Sequence, residues 1–367
     1  MKKVCYCLKM AHTTYVGGIT AIINSYLLSK ESFLNRGYDI CVFDYQNRII
    51  DKIKPSPIQT FLYGIKQYSG LCKLIDTKSI DIIHIHTSCR TLFLKDVYLL
   101  KKLNMRSGIR VYLTIHVGDI NTVFEKIPRF LHKRIIGVLN KHACKVCFLS
   151  NEMSKQFIEK GLNEDLSETI YNFSDLPLIQ YSQCEGDEKS NTLNLLFIGM
   201  INKDKGIIEL LQALIELNDM DLHLDICGTI TDYSIEKEFK SLVNKLKEKV
   251  SLHGYVVGVE KTAIYKKADA LVLPSYHEGM PLVILEALSS GCGIISTPVG
   301  SIPEILNNRN VEWVEAGSVD SIKKAIKNLY DNRDKLQIMK VNNLKTGKNY
   351  TKDVHIATLC YLYGEIK

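Results

Sequence analysis

The 367-residue chain has the composition of a globular protein, with 46% hydrophobic and 24% charged residues. Its length suffices for two domains, and it contains no apolar run long enough to cross a bilayer. The net charge of +7 is uneven, because residues 1–180 contain 25 Lys and Arg against 15 Asp and Glu. The first half is therefore expected to meet an anionic surface or substrate. The cysteines, scattered through apolar segments, favour a reduced, cytoplasmic protein.

The first half alternates short apolar strands with helical segments. Strands are predicted at 4–8, 40–43, 80–85 and 111–115. Gly17 and Gly18 lie between the first strand and a helix that begins near residue 19. Such a pair lets backbone approach a phosphate or sugar, although a plain tight turn explains it equally well. No G-x-G-x-x-G motif follows the strand, which counts against a dinucleotide-dependent dehydrogenase.

Three histidines lie near the ends of two predicted strands. Residues at the carboxyl ends of parallel strands face the ligand crevice of α/β domains. One of His84 and His86 is expected to be a packed core histidine, and His84 is favoured for that role. His116 ends a strand close to a glycine, which is a better position for a functional side chain.

A basic amphipathic helix is predicted over 128–142. It can lie on an anionic bilayer, or pack on its sheet with a merely solvated basic face, and the sequence leaves both readings open. Cys144 and Cys147 form a lone C-x-x-C that is interpreted as packing rather than metal binding. The basic residues of this region are Lys126, Arg129, Lys133, Arg134, Lys141 and Lys145.

A polar segment without periodicity divides the chain. The predicted organisation is a first domain over 1–174, a linker over 175–192, a second domain over 193–350 and a final helix over 351–367. Strands are predicted at 193–198 and 222–227, and strand and helix again alternate after residue 193. Both domains are therefore expected to be α/β with parallel sheets covered on both faces.

The most informative stretch is 275–293, SYHEGMPLVILEALSSGCG. An apolar strand precedes it, and Pro281 suits the first turn of a helix. That helix is predicted over 283–290, and Gly291 stops it. The free N–H groups of Gly279, Met280, Leu282 and Val283 should cluster at the helix start, where the helix dipole also attracts anions.

Two glutamates flank this predicted anion site. Glu278 precedes the helix, and Glu286 lies about two turns into it. A carboxylate cannot bind phosphate, but it accepts two hydrogen bonds from a diol. The arrangement therefore suits a ligand with phosphate in the middle and hydroxyls at both ends, which is the layout of a nucleotide-sugar.

The stretch resembles the Glu-x7-Glu signature of family-4 retaining glycosyltransferases, and the likeness continues through 294–304. The resemblance implies the GT-B fold, an α/β architecture of two Rossmann-like domains whose parallel sheets face across a cleft. The final helix would cross back to the first, acceptor domain. Segments 85–103 and 113–120 also resemble bacterial capsule and exopolysaccharide transferases.

The resemblance also implies roles for the candidate residues. Lys205 and the N–H groups of residues 279–283, Pro281 excepted, would stabilise the leaving diphosphate. Glu286 would hold the ribose, and Glu278 and His116 would contact the donor sugar. Gly17 and Gly18 would form the family's Gly-Gly loop.

One position departs from the family pattern. Met200 stands where an arginine usually helps to clamp the diphosphate, and a thioether has neither charge nor donors. Lys203 could replace that cation, donor binding could be weaker, or the protein could be degenerate.

The resulting hypothesis is a hexosyltransferase that moves sugar from a nucleotide-sugar to a hydroxyl of a lipid-linked glycan in cell-surface polysaccharide synthesis. No Asp-x-Asp motif accompanies the candidate site residues, so no metal or other cofactor is expected. The expected partners are the donor, the acceptor and an anionic membrane surface at the inner face of the plasma membrane, but no nucleic acid. The alternatives are a degenerate partner subunit and a sugar-nucleotide epimerase of the same fold.

Overall fold

The computed structural model describes residues 1–8, 18–44, 57–88, 90–104, 108–124, 127–179 and 191–365. The chain divides into two compact units. The first unit contains Met1–Tyr171 and Asp353–Lys367, and the second contains Asn172–Lys352. Most of the predicted linker lies outside the described residues, and residues 172–179 are grouped with the second unit.

A sheet of six parallel strands forms the centre of the first unit. Its strands are β1 (Lys2–Leu8), β2 (Tyr38–Asp44), β3 (Ile82–Thr87), β4 (Arg110–Ile115), β5 (Lys145–Phe148) and β6 (Ser167–Thr169). Their order is β2-β1-β3-β4-β5-β6. The inner strands are buried along almost their whole length, because helices cover both faces of a parallel sheet. The helices are α1 (Gly18–Leu28), α2 (Lys30–Leu34), α3 (Pro57–Lys78), α4 (Arg90–Asn104), α5 (Ile120–Phe124), α6 (Arg129–His142) and α7 (Asn151–Glu159).

Strand β3 lies two residues later than its predicted position, 80–85. It pairs in register with β4, Thr87 opposite Ile115. The polar end His86-Thr87 therefore belongs to the strand, although the apolar pattern indicated an earlier stop. Ladder hydrogen bonds with a neighbouring strand decided the boundary, and sequence periodicity does not report them.

The second unit also has six parallel strands, in a related topology. They are β7 (Leu193–Ile198), β8 (Leu222–Cys227), β9 (Val250–Gly254), β10 (Ala270–Leu273), β11 (Gly293–Ser296) and β12 (Glu312–Trp313). Their order is β12-β11-β10-β7-β8-β9. The helices are α8 (Ile207–Glu216), α9 (Glu236–Leu246), α10 (Gly258–Lys267), α11 (Leu282–Ser289), α12 (Ile302–Ile305), α13 (Val319–Asp331) and α14 (Arg333–Gly347).

The last helix, α15 (Lys352–Glu365), packs almost entirely on the first unit. Its Tyr363 is fully buried there and forms a 2.6 Å hydrogen bond with Nδ1 of His84. His84 is fully buried and also contacts Thr114, as expected of a packed core histidine. His355 forms a 2.5 Å hydrogen bond with the hydroxyl of Tyr26. The first unit is thus completed by chain that follows the second unit.

Each sheet has a point at which the strand order reverses. After β2 the chain crosses to the other side of β1, so the reversal lies between β1 and β3. In the second unit it lies between β7 and β10. Loops that leave neighbouring strands in opposite directions open a crevice at such a point, and ligands of open α/β sheets bind there.

Candidate active site

Two loops of the second unit meet at its reversal point. One follows β7 through residues 199–206, and the other follows β10 through residues 274–281. The N–H of Tyr276 donates to the carbonyl of Asp204 at 2.8 Å. Gly206 has φ +66°, and a Cβ there would lie 2.3 Å from the carbonyl oxygen of Pro274. Only glycine permits this approach, so Gly206 fixes Lys205 beside the second loop.

Helix α11 starts beside these loops with free backbone donors. Pro281 is the N-cap, with φ −72° and ψ 121°, rather than a residue of the first turn as predicted. No acceptor within the described residues bonds the N–H groups of Gly279, Met280, Leu282 or Val283. The clustered donors expected from the sequence are therefore present at this helix start.

The rest of α11 anchors this end. Ile284, Leu285 and Leu288 are fully buried, and each such side chain contributes about 1.5–3 kcal/mol to stability. The helix ends at Gly291, with φ +63°, as predicted. The N–H of Cys292 returns to the carbonyl of Ala287 at 3.0 Å, which closes the C-terminus.

Gly300 supports the loop from the opposite side. It has φ +58°, and a Cβ there would lie 2.2 Å from the carbonyl oxygen of Glu278. The next residue, Ser301, donates its N–H to the carbonyl of Gly279 at 2.9 Å. Residues 300–301 therefore hold the backbone of 278–279 in place.

Lys205 and Glu278 form an ion pair. Lys205 Nζ lies 2.6 Å from Glu278 Oε1, and the side chains are 16% and 8% exposed. The hydroxyl of Ser275 donates to the same carboxylate oxygen at 2.8 Å. Two predicted site residues, 73 positions apart in sequence, thus neutralise each other.

Glu286 has its own partners. Glu286 is buried, and its carboxylate is paired with Lys261 of α10. The hydroxyl of Tyr265, from the same helix, lies 3.0 Å from Glu286 Oε2. Burial raises the pKa of Tyr265 well above its usual value, and the Glu286 charge raises it further, so Tyr265 remains a donor.

Met280 is held by its side chain and its carbonyl. Its side chain is buried, and its sulfur accepts the N–H of Asn172 at 2.9 Å. The Asn172 amide also donates to the Met280 carbonyl at 3.3 Å. Met280 is thus turned inward, and only its N–H can serve an anion.

The predicted substitute cation for Met200 has a negative neighbour. Lys203 is exposed and lies close to Asp232. Hydrogen bonds from Ser234, and then Lys203 itself, lower the pKa of Asp232. Asp232 therefore competes for the charge that Lys203 was expected to lend to the site.

In the first unit, His116 and His86 are joined at the carboxyl ends of β3 and β4. His86 Nδ1 lies 2.8 Å from His116 Nε2. Burial, followed by the nearby His355, lowers the pKa of His116 to about 3. Burial and the neighbouring histidines likewise lower the pKa of His86, so both rings are neutral.

The predicted Gly-Gly loop is only partly described. Gly17 lies outside the described residues. Gly18 is the first residue of α1 and is exposed, and a Cβ there would meet no described atom within 4 Å. The close approach predicted for this pair stays a prediction.

The predicted basic helix corresponds to α6. Phe130 is 69% exposed and is flanked by the exposed Arg129, Lys133 and Arg134. Ile135, Ile136 and Leu139 pack inward, so the helix has both a core face and a basic face with an aromatic ring. Within the described residues, no helix is both long and apolar enough to span a membrane.

Five partners of the site residues were not predicted from the sequence, namely Lys261, Tyr265, Ser275, Asn172 and His86. Lys261 and Tyr265 lie on one helix in positions i and i+4, so they share a face. This spacing could have indicated a shared target. Nothing in the sequence, however, joined that face to Glu286, 21 to 25 positions away.

Comparison with solved structures defines the class of fold. The crystal structure of a glycosyltransferase from Rickettsia africae superposes with a TM-score of 0.78 at 16% identity, covering 100% of this chain and 98% of that one. The Anabaena protein HepE in complex with UDP gives 0.73 at 14% identity, covering 98% of each. The chain therefore has the GT-B glycosyltransferase fold.

Sequence comparison is more specific. Residues 192–332 match the family described as Glycosyl transferases group 1, so this protein is a glycosyltransferase with a group 1 domain. An uncharacterized glycosyltransferase of Methanocaldococcus jannaschii is 23% identical over 96% of this chain and 95% of its own length. The capsular polysaccharide biosynthesis glycosyltransferase CapH of Staphylococcus aureus is 23% identical over 74% and 76%.

Proposed function

We propose that this protein transfers a hexose from a nucleotide-sugar, with retention of configuration, to a hydroxyl of a lipid-linked glycan during cell-surface polysaccharide biosynthesis. The observation that carries the proposal is the convergence at the reversal point of the second unit. The free donors of the α11 start, Lys205 with Glu278, and Glu286 all belong to this region.

The chemistry of this site follows the charge that develops in the reaction. As the glycosidic bond breaks, negative charge grows on the diphosphate, and fixed N–H dipoles with Lys205 stabilise it. Glu278 accepts hydrogen bonds from hydroxyl groups of the sugar, and Glu286 accepts hydrogen bonds from the two ribose hydroxyls. His116 is proposed to contact the donor sugar.

Two of the comparisons support a nucleotide-sugar donor and a role in polysaccharide synthesis. HepE was solved with UDP and with UDP-glucose, which makes uridine nucleotides the first donors to test. The name of CapH refers to capsular polysaccharide biosynthesis, which supports a glycan acceptor. The leaving group is stabilised by groups of the chain, so we propose that no divalent metal is required. Turnover should then persist when a metal chelator is added to the reaction.

The test is incubation with UDP-, GDP- and ADP-sugars, followed by chromatography for free nucleotide and altered sugar. Transfer, or slow hydrolysis, is expected from the wild type and should fall in Lys205→Ala and Glu278→Ala. Glu248→Ala, at an exposed site, is the matched control. Proton NMR of a product glycoside gives its anomeric configuration, and inversion would contradict retention. Isomerised donor without transfer would indicate an epimerase.

A degenerate partner subunit is a second candidate. Met200 lacks the charge usual at its position, and the charge of Lys205 is neutralised by Glu278. If no nucleotide or nucleotide-sugar raises the melting temperature, the donor site is not functional, because a ligand that binds only the folded state stabilises it.

We also propose that the basic face of α6 attaches the protein to anionic membranes at the cytoplasmic side. Exposed Arg and Lys beside Phe130 combine electrostatic attraction with an aromatic ring suited to the lipid interface. Flotation with phosphatidylglycerol vesicles should show binding that weakens as salt rises. Lys133→Glu with Arg134→Glu should release the protein, whereas Lys237→Glu with Lys245→Glu, an equal charge change on α9, should not. Equal flotation of both variants would contradict this attachment.

A further inference from the structure

Lys261 lies beside the proposed ribose-binding carboxylate without an assigned role. It belongs to α10, its side chain is 22% exposed, and its Nζ pairs with Oε1 of Glu286. Glu286 is on α11 and its side chain is 4% exposed. Within the described residues, Lys261 is the only cation that forms an ion pair with this carboxylate.

The other partner of Glu286 is weaker. The single hydroxyl proton of Tyr265 faces two acceptors, Glu286 Oε2 at 3.0 Å and the carbonyl oxygen of Val283 at 3.1 Å. A charged donor forms a hydrogen bond about twice as strong as a neutral one. Lys261 therefore does most to fix the orientation of the carboxylate, and Tyr265 limits its rotation.

We propose that Lys261 is a specificity-determining residue, which locks Glu286 so that the site selects ribonucleotides over 2′-deoxyribonucleotides. This inference rests on the proposed function, in which Glu286 accepts the ribose diol. An ionised carboxylate has about four acceptor positions. Lys261 uses one acceptor position on Oε1, and Tyr265 uses one on Oε2. Each oxygen therefore keeps one acceptor position for one of the two ribose hydroxyls.

Selection follows from what a deoxyribose leaves unpaired. With the carboxylate fixed, loss of one hydroxyl leaves a buried acceptor without a partner, and such a site discriminates strongly against the poorer ligand. With the carboxylate free to rotate, it can turn toward the remaining hydroxyl. Removing Lys261 should therefore lower the preference itself, beyond any general loss of affinity.

Calorimetric titration with UDP and 2′-deoxy-UDP tests this. The wild type should bind UDP about tenfold more tightly than the deoxy analogue, as expected for one hydrogen bond to a charged group. Lys261→Met should reduce that ratio to about twofold, while Lys261→Arg should largely keep it. The matched control is Lys266→Met, an exposed lysine on the same helix. Lys261→Gln replaces Lys261→Met if the latter does not fold.

The outcomes separate the two claims. If Lys261→Met weakens both ligands equally, or changes neither, Lys261 has only a structural role and the inference is wrong while the donor site stands. If the wild type binds none of UDP, ADP and GDP, the donor site itself is wrong, and the inference falls with it.

Discussion

Both sheets reverse their strand order once, with one strand beyond β1 in the first and two beyond β7 in the second, and different side chains lie near the two reversal points. In the first unit, His84, His86 and His116 form neutral hydrogen-bonded rings. In the second, Lys205–Glu278 and Lys261–Glu286 are ion pairs beside the free donors of a helix start. Related backbone topologies thus support uncharged histidine rings in the first unit and paired opposite charges in the second.

This difference separates what each end can recognise. Neutral rings offer single donors and acceptors, which suit uncharged hydroxyl groups. In an ion pair, a charged or polar ligand can replace one partner and bind the other. The helix start adds a preference for anions. The diphosphate is therefore expected in the second unit.

The largest expected effect is acid destabilisation of the first unit. Burial lowers the pKa of His84 and His116 to about 3 and that of His355 to about 4, below the usual 6.5. Such groups take up protons only on unfolding, so stability is lost as pH falls below 6.5. Asp96 acts oppositely, because burial raises its pKa to about 6. Burial lowers the pKa of His86 as well, so four histidines oppose Asp96, and at about 1.4 kcal/mol per group and pH unit the net loss is about 4 kcal/mol per unit between pH 6 and 4.

The measurement uses the single tryptophan, Trp313, which lies in the second unit. Its fluorescence reports that unit, where His223, His253 and His277 are partly or well exposed. Circular dichroism reports both units. Urea midpoints from the two signals should separate as pH falls from 7 to 5, and coincident midpoints at every pH would contradict the contrast.

The next largest effect is expected from Lys205→Ala. With Met200 in place of an arginine, little other side-chain charge remains to stabilise the leaving diphosphate. Turnover should fall about 10²–10³-fold, as when one donor to a developing anion is removed. Lys203→Ala should cost much less, because Lys203 lies beside Asp232. Equal losses in both variants would show that Lys203 contributes as much as Lys205.

Glu278→Gln should have opposite effects on binding and turnover. Removal of the carboxylate charge frees Lys205 from its ion pair, so UDP alone should bind several-fold more tightly, a gain of about 1 kcal/mol. Turnover of the nucleotide-sugar should fall, because the sugar loses a charged acceptor. Calorimetry measures the UDP affinity, and initial rates measure the turnover of the nucleotide-sugar.

Ser275→Ala is the control for Glu278→Gln. It removes a hydrogen bond to the same oxygen without changing charge, and should leave UDP affinity near that of the wild type. Weaker UDP binding by Glu278→Gln would show that the ion pair does not restrain Lys205.

The smallest effect is expected from Met200→Arg. A guanidinium binds diphosphate with paired donors that a thioether lacks. Met200 is half-buried, so the longer side chain should be accommodated, and UDP affinity should rise by a factor of a few. Titration of both proteins provides the comparison. Unchanged UDP affinity would place the diphosphate away from residue 200.

Elements with a strong local signal were predicted closely from the sequence. Strands β7 and β8 occupy the predicted residues 193–198 and 222–227, because continuous apolar runs end at polar turns. Helix α11 was placed within one residue, since a proline and a glycine limit it. The boundary of β3 was wrong by two residues because pairing with β4 set it.

The candidate site divides in the same way. Glu278, Glu286 and the free donors of α11 follow from one continuous stretch, whose spacing the sequence determines by itself through the helix period. Their partners depend on tertiary structure, because Lys205, Lys261 and Gly300 approach from other loops and helices. His84 likewise meets Tyr363, 279 positions away, only because the last helix packs on the first unit. Local sequence thus determined the spacing of the proposed ligand-binding groups, and packing between distant segments decided which charged and aromatic side chains pair with them.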